Sequence, residues 1–125
     1  MRGRRRMPEA DLEQPAVDAE DGKLVTLARA ARARVGAVEG AAVRDQDGRT
    51  YTGVTVRLPS LTIAALQLAV ASAVAAGGTR LEAAAVVTEA STLDDLGRAA
   101  VRDLGMGAPI HVASPAGQVL ATVRD

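Results

Sequence analysis

Residues 60–88 read SLTIAALQLAVASAVAAGGTRLEAAAVVT, and this stretch decides the fold. From Pro59-Ser60 to about Ala76 the only clearly polar positions are Thr62, Gln67 and Ser72. A helix that is apolar nearly all round is buried on most of its sides. Gly77-Gly78 ends it, as glycine does at helix C-termini. Leu81 to Thr88 is then a short apolar run of the kind that forms a buried parallel strand. The helix has about the minimum length of a membrane span. The hairpin and strand that flank it need a soluble fold, which excludes the membrane reading.

On the N-terminal side, Ala37 to Arg44 and Thr50 to Val56 predict two strands joined by Asp45-Gln46-Asp47-Gly48. Asp-x-Asp-Gly is turn chemistry, with side-chain acceptors for backbone N–H groups and a glycine for positive φ. Thr50, Thr52, Val54 and Val56 are β-branched, which favours strand. Before the hairpin, Leu24, Val25, Leu27, Ala28 and Ala31 recur at helical spacing up to Gly36. On the C-terminal side, Thr92-Leu93-Asp94-Asp95 predicts a capped helix start. That helix runs to Leu104 and stops at Gly105. Ile110–Ala113 is a further strand, and Gln118–Val123 is a last strand or a frayed end. The order α-β-β-α-β-α-β-(β) predicts a three-layer α/β/α fold. Its mixed sheet has an antiparallel N-terminal hairpin and parallel later strands.

Folded structure is expected from residue 23 to 125, behind a disordered leader over residues 1–22. The leader holds four Arg in its first six residues, then only acidic charge, and no apolar periodicity. It is expected to be a solvated tail, with Met7 as a second candidate start. Nucleic-acid contact and targeting are the alternatives. No apolar segment follows the Arg run, so it is not a signal peptide.

Composition excludes several function classes. The chain has 125 residues, one Tyr (Tyr51), no Phe or Trp, and 27 Ala. So lean a core gains burial by association, and subunit contacts are expected. With no Cys there is no disulfide, thiolate metal site or thiol nucleophile. A single His, His111, excludes two-His metal motifs. The formal net charge of zero argues against a general nucleic-acid or anionic-membrane binder. The arginine and alanine load points to a bacterial source.

The local strings resemble the cytidine deaminase family over about residues 24–122. They are Gly40-Ala41-Ala42-Val43 before the hairpin, Gly53-Val54-Thr55-Val56 within it, Leu61-Thr62-Ile63-Ala64-Ala65-Leu66 opening the central helix, and Arg98 to Gly105 closing the next one. The resemblance implies a zinc-activated water, three Cys or His ligands and a Glu that shuttles protons. Carried over residue by residue, the first ligand falls on Ala64 and the Glu on Leu66. The two thiolates of the family's P-C-x-x-C string fall on Asp94 and Gly97, with Leu93 in place of the proline. The family's ribose-holding Asn and Glu fall on Thr55 and Arg57. A catalytic zinc takes three protein ligands, so neither metal nor cofactor is expected.

The expected function is therefore that of an inactive deaminase-like protein, a cytoplasmic homo-oligomer (dimer or tetramer). It acts through self-assembly or a protein partner, without membrane or nucleic acid. Two other readings are kept: a zinc-independent binder or enzyme for a nucleoside or nucleotide in the vacant cleft, and, as the weakest, an active cytidine deaminase. In the family fold the segments at Ser60 and Thr92 meet at one cleft, so Thr55, Arg57, Ser60, Thr92 and Asp94 form the candidate vestigial site. Asp94 and Asp95 read as helix-start carboxylates, Asp45 and Asp47 as turn residues, and His111 as structural.

Overall fold

The computed structural model describes residues 17–90 and 92–125. The elements are α1 (Ala19–Val35), β1 (Gly40–Asp45), β2 (Thr50–Val54), β3 (Val56–Leu58), β4 (Leu61–Ile63), α2 (Ala65–Ala75), β5 (Leu81–Val87), α3 (Asp95–Leu104), β6 (Ile110–Ala113) and β7 (Val119–Val123). The main sheet has the order β2-β1-β5-β6-β7. β1 pairs antiparallel with both β2 and β5, β5 and β6 are parallel, and β7 returns antiparallel to β6. The three α/β/α layers and the mixed sheet are as the sequence implies. The last segment is a paired strand.

Alternation along the central strands divides the core into two. Leu24, Val25 and Ala28 of α1 pack on Ala42, Ala83, Ala85 and Val87 on one face. On the other face Leu66, Ala69 and Ala73 of α2, with Val101 of α3, pack on Ala41, Val43, Ala84, Val86 and Ile110. The small side chains let the layers approach closely. A Cβ on Gly53 would lie 2.6 Å from the Ala69 backbone nitrogen, so β2 can carry no side chain where α2 crosses it.

Three boundaries differ from the sequence reading, each for a physical reason. First, α1 begins at Ala19, ahead of the boundary expected at residue 22. Asp18 caps it, accepting the Asp21 N–H at 2.8 Å, and Glu20 and Asp21 favour the first turn. Residues 1–16, the rest of the expected leader, lie outside the described residues. Second, Pro59-Ser60 does not open the central helix. It is the turn of a small hairpin in which Leu58 pairs with Leu61 and Val56 with Ile63. Third, Thr92 does not cap α3, because the Asp94 side chain does.

The β1–β2 turn is built as its composition implies. Asp45 Oδ1 accepts the N–H groups of Asp47 and Arg49, and Oδ2 accepts the Tyr51 hydroxyl at 2.9 Å. Burial pushes this carboxyl up, but those bonds outweigh it and hold it below the usual range.

Candidate functional site

The starts of α2 and α3 meet over the end of β2 and the β3–β4 hairpin, leaving a cavity of about 260 Å³. Of the candidate cleft residues Thr55, Arg57 and Asp94 line it, together with Ala64, Glu39 and Gln67. The half-exposed Val38 and Leu96 form an apolar rim. Ser60 and Thr92 are not part of it. Ser60 sits in the exposed hairpin turn, because Leu58–Ile63 has enough β-branched and Leu character to pair with itself. Thr92 is exposed in the loop ahead of the Asp94 cap.

Several of the polar groups are committed locally. Thr55 Oγ1 accepts the Glu39 N–H at 3.2 Å, and Glu39 Oε2 accepts the Thr88 hydroxyl. Gln67 Oε1 accepts the Ala64 N–H at 3.1 Å, closing the first turn of α2, whose cap residue has no polar side chain. This leaves the Gln67 amide nitrogen available to the cavity. Asp94 Oδ2 accepts the Gly97 N–H at 3.2 Å. Arg57 makes no ion pair or hydrogen bond among the described residues and is exposed.

Between Ala64 and Gln67 in the chain, Leu66 turns into the core and is only 2% exposed. A Cβ on Gly97 would lie 2.9 Å from Leu66 Cβ and 3.3 Å from Leu66 Cδ2. The leucine therefore fills the space that a side chain at position 97 would occupy. This donor set does not fit a zinc ion: Ala64 and Gly97 have no side-chain donor atom, which leaves Asp94 as the one oxygen donor among the three carried-over positions. Among the described residues no three His, Asp or Glu groups converge to hold a metal.

A second polar cluster lies on the other side of the sheet. His111 is 3% exposed. Its Nε2 lies 2.8 Å from Asp21 Oδ2 and its Nδ1 2.9 Å from Thr122 Oγ1. An ionised carboxylate only accepts, so Nε2 donates to Asp21, and Nδ1 is hydrogen-bonded to the threonine hydroxyl. Arg44 Nη2 stands 2.9 Å from Asp21 Oδ1. Burial pushes the Asp21 carboxyl up, but His111 and Arg44 prevail and it lies below its ordinary value. His111 thus ties α1 to β6 and β7, far from the cavity's lining. The sequence reading anticipates a structural His111 but misses its partner, because Asp21 falls inside the expected leader.

A model of the cytidine deaminase-like family matches residues 17–117. The chain belongs to this family. Solved structures agree. It is similar to cytidine deaminase from Burkholderia pseudomallei, at 27% identity and TM-score 0.72, over 82% of this chain and 90% of that one. It is similar to cytidine deaminase from Mycobacterium leprae, at 25% identity and TM-score 0.67, over 86% and 94%. The enzyme from Mycobacterium tuberculosis aligns at 27% identity and TM-score 0.66, over 86% and 91%. No curated protein matches the chain. Among the described residues, no helix of this cytidine deaminase-like chain is long and apolar enough to cross a membrane.

Proposed function

We propose that this cytidine deaminase-like chain has no deaminase activity and acts through self-association or a protein partner, in the cytoplasm of a bacterium. The observation that carries the reading is the packing of Leu66 against Gly97. Deamination needs an activated water, which zinc supplies by lowering the water's pKa to about 7. Here an apolar side chain packs where the resemblance puts the metal site, and of the two carboxylates in the cavity lining Asp94 caps a helix and Glu39 accepts the Thr88 hydroxyl. Leu66 also stands at the position to which the resemblance assigns the proton shuttle, and it cannot carry a proton.

The surface supports the second half of the proposal. Ala71 and Val74 are exposed on the outer side of α2, with Leu68 half-buried one turn before them, and Val74 is 52% exposed. A helix with an apolar outer stripe gains burial by meeting a second copy, which favours a dimer or tetramer.

The deciding assay is ammonia release from cytidine and deoxycytidine at high protein concentration. No turnover above a buffer control is expected. Turnover that co-purifies through two columns and disappears on substitution of Gln67 or Ala64 would overturn the proposal.

A further inference from the structure

β7 is the outer strand of the main sheet, and among the described residues nothing pairs with its open side. Its sequence, Val119-Leu120-Ala121-Thr122-Val123, holds no proline and no charge, the devices that commonly guard a sheet edge. Leu120 is 59% exposed. The bulge in the β6–β7 ladder falls at the turn end, between the pairings of Val119 and Ala121. The carbonyls of Pro109 and Ala113 accept the N–H groups of Ala84 and Thr88, so the backbone of His111, midway between them, also faces β5. Thr122 lies opposite His111 and gains no backbone partner from it, so its N–H and C=O point to the open edge. Its hydroxyl, bonded to His111 Nδ1 at 2.9 Å, holds that edge in place.

Beside this edge a cavity of about 300 Å³ opens between α1 and the start of β7. Val17, Val25 and Val119 give it apolar walls, and Gly22 and Gly117 leave it room. The one charge in its lining is Arg29. Arg29 Nε donates to the Pro115 carbonyl at 2.9 Å, and its Nη groups have no partner among the described residues. An open strand edge next to an apolar hollow takes an extended peptide, with main-chain bonds to the edge and alternate side chains in the hollow. A second β7 suits the groove less well. Antiparallel to the first, it would bring its own Arg124 to the end where Arg29 stands, like charge against like.

We propose that β7 and the cavity beside α1 form a docking site for an extended segment of another protein. The segment adds to the sheet as a further edge strand, sets an apolar side chain into the cavity and turns a carboxylate toward Arg29. The site rests on the protein-partner half of the proposed function and is independent of catalytic inactivity.

The test is titration of the full chain, labelled with nitrogen-15, with the blocked peptide Glu-Val-Thr-Val-Thr-Val-Glu, followed through the amide chemical shifts. Shifts are expected at Leu120 to Val123 and at Thr26 and Arg29. The same peptide with every second N–H methylated keeps its side chains but cannot pair along that side, and it should not bind. A version ended by Lys in place of Glu should bind about two- to fivefold more weakly, the size of an exposed ion pair. Arg29→Glu should reverse that order, and Arg29 is exposed, so the variant leaves the core untouched. No binding of the Glu-ended peptide, equal binding of the methylated one, or shifts confined to other faces would overturn the site. Shifts at β7 that appear on concentrating the free protein would make a second copy the occupant and overturn the choice of partner. Ammonia release from cytidine, measured on the same sample, keeps the two readings apart: turnover counts against inactivity alone, and failed peptide binding counts against the docking site alone.

Discussion

Replacing Gly97 with alanine should destabilise the protein, against the usual rule for a glycine in a helix. In an exposed helix Gly→Ala gains about 1 kcal/mol from propensity. Gly97 lies in the first turn of α3, buried against α2. The new Cβ would meet Leu66 Cβ at 2.9 Å and Leu66 Cδ2 at 3.3 Å, whereas carbon atoms rest at about 3.5–4.0 Å. Leu66 Cβ is fixed to its helix and cannot rotate away. The two helices would have to part by about 0.6 Å, and overpacking of this kind costs about 1–3 kcal/mol. With propensity subtracted, a net loss of about 1 kcal/mol is expected, and Gly97→Val should lose about 2–3 kcal/mol. Urea unfolding followed by far-ultraviolet circular dichroism suits a chain with one Tyr and no Trp. In a Leu66→Ala background the cost of Gly97→Ala should shrink by about 0.5–1 kcal/mol, because only the Cδ2 contact is relieved. A Gly97→Ala protein more stable than the unmodified one by about 1 kcal/mol would show that leucine does not fill this space.

Other perturbations probe the remaining structure. Asp21→Ala removes the partner of both His111 and Arg44 and should cost about 2–4 kcal/mol by denaturant titration, toward the lower end for a buried pair because Arg44 keeps some exposure. The folded-state pKa of Asp21 lies below its ordinary 3.8. Its contribution is therefore fully present above that pH and is lost as pH falls through 3.8 toward the folded value. Acid unfolding of Asp21→Asn should accordingly be less steep below pH 4, and an unchanged acid limb would refute the role of Asp21. Ala71→Arg, on the exposed stripe of α2, should convert an oligomer into monomers by light scattering, with folding intact. Ala69→Arg would instead break the core, since Ala69 is fully buried. A monomeric unmodified protein would sink the self-association reading.

How far the fold was legible follows from where the signals were local. The apolar run 81–87, the Asp-x-Asp-Gly turn and β6 announce themselves through composition and turn chemistry, and they stand where expected. The α2 start did not, because Leu58–Ile63 is as consistent with a helix entrance as with a hairpin. Only the pairing of Val56 with Ile63 decides it. The α1 start was missed because an acidic first turn and an acidic solvated tail look alike in one dimension. Within the site, Thr55, Arg57, Ala64 and Asp94 could be placed by resemblance. Glu39 and Gln67 carry no motif and join the cavity only through the crossing of β1 and α2. Leu66 and Gly97 stand 31 residues apart, and the resemblance assigns both to one site, but their direct packing has no sequence signature. It became visible only when the two helices were packed together.

The proposal stands or falls on the absence of a bound zinc where Leu66 packs against Gly97. The measurement that tests it most directly is metal analysis of protein purified without chelators and dialysed extensively. Zinc far below one atom per chain is predicted, with a melting temperature unchanged by a strong chelator. One zinc per chain that resists dialysis, with a melting temperature that falls when it is stripped, would contradict the account.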